Sequence, residues 1–246
     1  VKVTVLTACY NSAKTLGRTL ESVKNQTYPE IEHIVLDGGS TDDTKTVVSY
    51  YKHVTRFISE KDQGVYDALN KGIQMATGDV ISILHADDHY KDKHVIQDMI
   101  EKMQETLAMG VYGDIEFVNE HGRRIRYYSS NGINLNSFKR GIMPAHPSCF
   151  FRTALYKEFP FNLKYKIASD FDQVLKCFLK YGDRLVYTER ITTSMLPGGL
   201  STASWKSNVQ LNKEALDSLR ANGLSSNIFL IYSKYFSKIL GFLNRG

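Results

Sequence analysis

The 246-residue chain is long enough for one large domain or two small ones, and its 42% hydrophobic and 23% charged residues are those of a soluble globular protein. A net charge of +5 is too weak to argue for a nucleic-acid partner, though it suits a polyphosphate ligand or an anionic membrane surface. Cys9, Cys149 and Cys177 have no metal spacing, the first residues read as a strand rather than a leader, and no apolar run is long enough to span a bilayer, which together predict a cytoplasmic protein with reduced thiols.

Residues 1–7 predict a first strand. Thr7, Ala8, Cys9, Tyr10 and Asn11 then turn the chain, and Asn11 or Ser12 can cap a helix whose Leu16, Leu20 and Val23 recur at helical spacing. Tyr28-Pro29 stops that helix. Residues 31–36 predict a second strand ending in Asp37-Gly38-Gly39-Ser40-Thr41-Asp42. The glycines permit a tight turn close to a ligand, and Ser40 or Thr41 can cap the helix through Val47, Val48 and Tyr51. Residues 56–59 form a third strand, and a polar loop with Asp62 leads into a helix over 65–76. Thr77-Gly78-Asp79 ends it and opens a fourth strand of Val80, Ile81, Ile83 and Leu84. This alternation predicts an α/β fold, a doubly wound sheet built from nucleotide-binding halves.

The fourth strand runs out into His85-Ala86-Asp87-Asp88-His89. A carboxylate pair at the carboxyl end of a central strand sits where open α/β sheets bind ligands. A divalent cation, Mn²⁺ or Mg²⁺, takes oxygen ligands from such acids together with substrate phosphates. Alone, the pair reads equally as a solvated turn. Beyond it the pattern gives a helix over 95–103, a strand over 111–118 returning through 124–128, and a constrained loop at Pro144-Ala145-His146-Pro147. A strand over 148–151, a helix over 170–180 and a strand over 184–187 follow, then helices over 205–220 and 227–243. In the last helix Ile228, Ile231, Tyr232, Tyr235, Ile239 and Phe242 share one face, with Lys234, Lys238 and Arg245 on the other. Such a basic amphipathic helix lies in a membrane interface, or packs on its own domain or on a second copy in a homodimer.

Taken in order, these motifs resemble the family 2 glycosyltransferases of GT-A fold, specifically the non-processive bacterial enzymes of surface-polysaccharide assembly. The resemblance covers about the first two hundred residues. Thr7-Ala8-Cys9-Tyr10-Asn11 is similar to the family's first nucleotide loop and Ile34-Val35-Leu36-Asp37-Gly38-Gly39-Ser40 to its second, with Asp37 at the position that meets the nucleoside base. Gly64 and Asp67-Ala68-Leu69-Asn70-Lys71-Gly72 resemble the helix after the third strand. Leu84-His85-Ala86-Asp87-Asp88 falls on the D-x-D metal motif, and His146-Pro147-Ser148 and Ser169-Asp170-Phe171-Asp172 match later landmarks.

The resemblance implies a GT-A (nucleotide-diphospho-sugar transferase) domain over 1–204, a Rossmann-like mixed sheet flanked by helices, with a helical C-terminal extension over 205–246. It implies an inverting transferase moving a sugar from a UDP-sugar donor to a saccharide or lipid-linked acceptor, working at the inner face of the membrane. Asp170 would be the general base, and Asp87 and Asp88 would hold the metal. Thr7, Ala8, Tyr10, Asn11, Asp37, Gly39, Asp62, Asn70, Lys71, His85, Ala86 and His146 would line the substrate site. Tyr10 and Asn11 read equally as loop packing and capping, Asp62 as a solvated loop acid and His146 as a loop histidine. Two positions depart from the pattern: His85 replaces the first acid of D-x-D, and Leu69 stands where arginine is common. No Q-x-x-R-W follows Asp170, against a processive synthase. The competing functions are a non-catalytic nucleotide-sugar binding module and a sugar nucleotidyltransferase. The latter lacks support because Ala8-Cys9-Tyr10-Asn11 contains no glycine.

Overall fold

The structure is a computed structural model that describes residues 1–197 and 205–243. Its first half alternates strand and helix: β1 (Val3–Cys9), α1 (Leu16–Lys24), β2 (Ile31–Asp37), α2 (Thr44–Ser49), β3 (Val54–Ser59), α3 (Val65–Met75) and β4 (Val80–Ile83). Next come β5 (Asp88–Tyr90), α4 (Val95–Thr106), β6 (Gly110–Val118), β7 (Arg124–Tyr128), α5 (Leu135–Lys139), β8 (Cys149–Arg152) and α6 (Thr153–Glu158). The chain closes with α7 (Ser169–Tyr181), β9 (Leu185–Met195), α8 (Trp205–Ala221) and α9 (Ile228–Leu243).

Every side chain of β1 and β4 is buried, which requires cover on both faces and suits the centre of a parallel sheet. The strand order is β3-β2-β1-β4-β8-β6-β9-β5, with β7 paired to the far stretch of β6. β1 to β4 run parallel, whereas β8 is antiparallel to β4 and β6, and β5 to β9. The sheet is therefore mixed, with its parallel half at one end. Alternation along β1 sends Leu6 and Ala8 to the face covered by α3 and α7, and Val3 and Val5 to the face covered by α4. α3 approaches closely because of Gly72: a Cβ there would stand 2.6 Å from Leu36 Cδ1. Leu69 is fully buried in this cluster, so it serves packing and leaves no room for a phosphate contact at that position.

Several elements differ from the sequence reading. Asp88 is not in a loop but begins β5, three residues paired with Thr193–Met195 far along the chain. β9 extends to Met195 rather than stopping near 187, passing an irregularity at Glu189-Arg190. Gly113 of β6 makes that irregularity possible, since a Cβ there would sit 2.3 Å from the Arg190 carbonyl oxygen. The short helices α5 and α6 were not expected. On α9 two of the described side chains pack inward: Ile231 is buried, and so is Lys234, whose Nζ donates to Asn212 Oδ1 at 2.7 Å and to the Gly141 carbonyl at 3.2 Å. Lys234 is thus not on an outward basic face, and Phe229 is the outward residue at 84% exposure. Arg245 lies outside the described residues, and Lys238, Ile239 and Phe242 lie outside the described side chains. Among the described residues no helix is long and apolar enough to cross a membrane.

Candidate active site

β1 is flanked by β2 and β4, so the direction in which the sheet is wound reverses across it. Ligands of open α/β sheets bind outside the carboxyl ends of the strands at such a point. The loops leaving β1 and β2 are stitched together there. Asn11 N donates to Ser40 Oγ at 2.7 Å, Thr41 N to Asn11 Oδ1 at 2.9 Å, Ser12 N to Thr44 Oγ1 at 2.8 Å and Ala13 N to Asp42 Oδ2 at 3.1 Å. Asn11 adopts φ 47°, a left-handed conformation that asparagine tolerates better than most residues. Its amide oxygen is engaged in shaping the loop. Thr7 and Ala8 point into the sheet, Thr7 Oγ1 lying 3.0 Å from His33 Nε2, so that their backbone alone reaches the loop.

Asp37 is buried and accepts hydrogen bonds from Ser40 N, Ser40 Oγ and Ser59 Oγ, the last at 2.6 Å. These bonds fix the carboxylate at the end of β2. Gly38 lets Asp62 come against this strand end: a Cβ on Gly38 would meet Asp62 Oδ2 at 2.8 Å. Gly39 has φ 83°, which a side chain would strain. Asp37, Ile58, Glu60, Asp62 and Lys71 line a small cleft here, and exposed Tyr10 stands beside Gly38. Lys71 Nζ is shared between Glu60 at 2.7 Å and Asp67 at 3.3 Å. Such exposed pairs are weak and screened by solvent, so the ammonium is not locked to these two acids.

One strand further, Thr19 Oγ1 of α1 donates to the Asp88 carbonyl at 2.7 Å and holds the turn through His85-Ala86-Asp87. Ala86 is packed, leaving its backbone to face the site. Both carboxylate oxygens of Asp88 are buried without a hydrogen-bond partner. Burial, and secondarily the Asp87 charge, push the Asp88 carboxyl well above the ordinary range. A buried carboxylate with no partner is unfavourable by several kcal/mol unless a cation meets it. Among the described residues no group of three or more His, Cys, Asp and Glu forms a protein-only metal cage. What points to a cation is the unpartnered Asp88 carboxyl beside Asp87, a donor set of the kind that holds a divalent ion with ligand phosphates and water completing the shell. His85 is half-buried, and burial holds it below the usual histidine value despite Asp87, so the imidazole is neutral and not an acid substitute.

A continuous set of contacts leads from here to α7. Buried His146 is lowered to about 3 by burial and by neighbouring His85, and its Nε2 has no partner within the protein. Its ring meets Phe161 edge-on at 5.5 Å, and Phe161 stacks on Tyr66 at 5.3 Å. Tyr66 Oη lies 3.2 Å from Asp170 Oδ1 and donates to the Ile167 carbonyl at 2.7 Å. Asp170 sits half-buried in the first turn of α7, where the helix dipole favours an acid. Burial raises its carboxyl to about 6, with the Phe171 N–H and Tyr66 hydroxyl working against the rise.

Asn70 is committed elsewhere. Its Nδ2 donates to the Phe161 carbonyl and its Oδ1 accepts from Phe161 N, both at 2.9 Å. It grips the segment that precedes α7. Asn70→Ala is expected to lower stability by about 1–3 kcal/mol, the cost of leaving buried backbone groups unpaired, while nucleotide binding is unchanged. Urea unfolding with parallel calorimetry checks this; loss of nucleotide binding at unchanged stability would return Asn70 to the ligand site. Tyr66 is a site residue that the motifs did not reveal. Its signal was present in the i, i+4 spacing to Asn70, which puts both on one helix face.

The sequence profile of Glycosyl transferase family 2 matches residues 4–163. A PGL/p-HBAD biosynthesis glycosyltransferase of Mycobacterium bovis is 32% identical over 174 residues, 68% of this chain and 66% of that protein. The TarS 1-349 structure of S. aureus in complex with UDP-GlcNAc matches with a TM-score of 0.71 at 19% identity, over 95% of this chain and 71% of that one. Glucosyl-3-phosphoglycerate synthase from Mycobacterium tuberculosis, in complex with Mn²⁺, UDP and glucosyl-3-phosphoglycerate, matches at 0.64 and 16% identity, over 92% and 81%. The chain spans 40% of a longer TarS structure. At these identities the structural likeness carries the fold, which is the GT-A arrangement of a mixed sheet between helices.

Proposed function

The chain belongs to glycosyl transferase family 2, and from that premise we propose that it moves a sugar from a uridine diphosphate sugar to a saccharide or lipid-linked acceptor with inversion. The observation that carries the reading is that the chain holds both Asp170, a half-buried carboxyl in the first turn of α7 raised to about 6, and the buried, unpartnered Asp88 oxygens at the start of β5. One group is fitted to take a proton near neutral pH and the other to meet a cation. The acceptor hydroxyl gives its proton to Asp170 as its oxygen bonds to the anomeric carbon. The bond from that carbon to the diphosphate breaks, and its electron pair leaves with the nucleotide. Asp87 and Asp88 would hold a divalent ion, and such an ion would supply charge neutralisation for the diphosphate. Tyr66 orients Asp170, Asp37 and Asp62 frame the nucleoside cleft, and Tyr10 offers an exposed ring beside it.

Uridine is favoured because the resemblance assigns Asp37, a buried and hydrogen-bonded acid at the end of β2, to the base-binding position, and because solved neighbours carry UDP or UDP-GlcNAc, although one carries GDP-Man. A thermal-shift panel of UDP-, GDP- and dTDP-sugars with and without Mn²⁺ tests the whole reading. Ligand at about a hundred times its Kd stabilises by about 2.7 kcal/mol, and the largest Mn²⁺-dependent shift is expected with a UDP-sugar. A shift with GDP-sugars and none with UDP-sugars would refute the nucleoside assignment.

A further inference from the structure

The segment that presents Asp170 is held from two sides. From α3, Asn70 grips Phe161 and Tyr66 bonds the Ile167 carbonyl. From α8, Glu214 reaches the three residues that precede α7. Its Oε2 accepts from Ile167 N at 2.9 Å and Ala168 N at 3.0 Å, and its Oε1 from Lys166 N at 3.1 Å and Gln210 Nε2 at 2.9 Å. Three successive backbone N–H groups converging on one carboxylate form an anion nest. α7 has no capping side chain of its own, because Ala168 occupies the cap position. One turn on, Asp217 binds Lys164 Nζ at 2.6 Å and Tyr165 Oη at 2.8 Å.

We propose that Glu214 is a positioning residue for the base: its carboxylate builds the turn over residues 166–168 that aims Asp170 into the site. The inference rests on the reading of Asp170 as general base, but the geometry behind it is independent of that reading. Glu214 also adds negative charge near Asp170, which helps to keep that carboxyl raised, after burial. Other ionisable groups around this pair are Tyr66 on α3, Cys149 on β8, Asp172 and Lys176 on α7, Asp217 on α8, and Lys164, Tyr165 and exposed Lys166 in the turn. None of them is a carboxylate placed to accept the three backbone N–H groups of residues 166–168. α8 has separate anchorage: Ser218 Oγ and Asn222 Nδ2 donate to buried Asp172 at 2.7 and 3.0 Å, and Ala215 and Leu219 are buried in the main core. Removing the Glu214 carboxylate therefore leaves the helix in place.

The test compares the parent with Glu214→Gln and Glu214→Ala in the full chain. Hydrogen exchange across residues 166–168 is expected to speed up by about tenfold or more in Glu214→Ala, as a local opening without global unfolding. Carbon-13 titration of the aspartates, with Asp170 assigned by the signal lost in Asp170→Asn, should show its midpoint falling from about 6 towards the ordinary carboxylate value. Affinity for UDP with Mn²⁺ should not change. A residue with a purely structural role would lower the unfolding midpoint and leave the Asp170 titration where it was. If Glu214→Ala does not fold, Glu214→Gln, which preserves volume and one acceptor oxygen, carries the test. Unchanged protection and an unchanged Asp170 midpoint in a folded variant overturn the proposal. The two ideas separate cleanly: turnover surviving in Asp170→Asn removes the base assignment, whereas lost turnover there with no effect of Glu214 variants on either readout removes the positioning role alone.

Discussion

Asp170→Asn is expected to bind a UDP-sugar with Mn²⁺ about as well as the parent and to transfer sugar about 10²–10⁴-fold more slowly, the usual effect of losing a general base. Asparagine retains the shape and an acceptor oxygen for Phe171 N and the Tyr66 hydroxyl, so the α7 terminus survives. What it loses is the ability to take a proton. The same carboxyl fixes a pH signature. Its value is raised to about 6, so it is ionised and able to accept a proton above that pH. In the parent, transfer should fall as pH drops through about 6, and any residual activity of Asp170→Asn should lack that acid limb. Asp172 provides the control. It is buried on the other side of α7 and bonded to Lys176, Ser218 and Asn222, an arrangement that ties α7 to α8. Asp172→Asn should therefore lower the unfolding midpoint more than it lowers transfer per folded molecule. Near-parent transfer by Asp170→Asn, with loss in Asp172→Asn, would reassign the base.

The parallel half of the fold was legible because its signals are local. Apolar strands, glycine turns and helices such as Leu16-Leu20-Val23 and Ala68-Leu69-Ile73 each announce themselves within about ten residues. The strand-end position of Asp37 follows from the same pattern, as does the turn through Asp87 that leaves β4. What was hidden depends on distant partners. β5 consists of Asp-His-Tyr, with no apolar run, and exists because β9 pairs with it from more than a hundred residues away. β9 looked short because Glu189-Arg190 interrupts its apolar character, and only Gly113 of β6 makes room for the irregularity. Lys234 looked like the polar face of a helix, yet its ammonium finds Asn212 and the Gly141 carbonyl inside the molecule. Asn70 and Glu214 show the same limit in the site itself. Both are ordinary polar helix residues in sequence, and each acquires its role from backbone groups that tertiary packing brings within reach.

Asp88→Asn is expected to abolish Mn²⁺-dependent nucleotide binding while leaving the metal-free protein as stable as the parent or more so. The two halves of this prediction have one cause. Neither oxygen of Asp88 has a hydrogen-bond partner, and both are buried beside a second acid. Without a cation, this carboxyl is a liability to the fold, because burying an unpaired charge costs several kcal/mol or forces protonation. Asparagine removes the charge and with it that cost. With a cation and a diphosphate present, the balance should reverse: the same oxygens would become ligands, and the parent should gain about 2.7 kcal/mol at a hundredfold excess over Kd. The variant has no charge to offer and should show no such gain. Asp87 is half-buried and retains solvent, so Asp87→Asn should weaken the Mn²⁺ dependence without raising metal-free stability. Melting curves of the three proteins, metal-free and with Mn²⁺ and UDP, separate the cases. A destabilised metal-free Asp88→Asn that still gains the full increment from Mn²⁺ and UDP would mean that Asp87 and Asp88 serve the fold, and the cation site would have to be sought elsewhere along the strand ends.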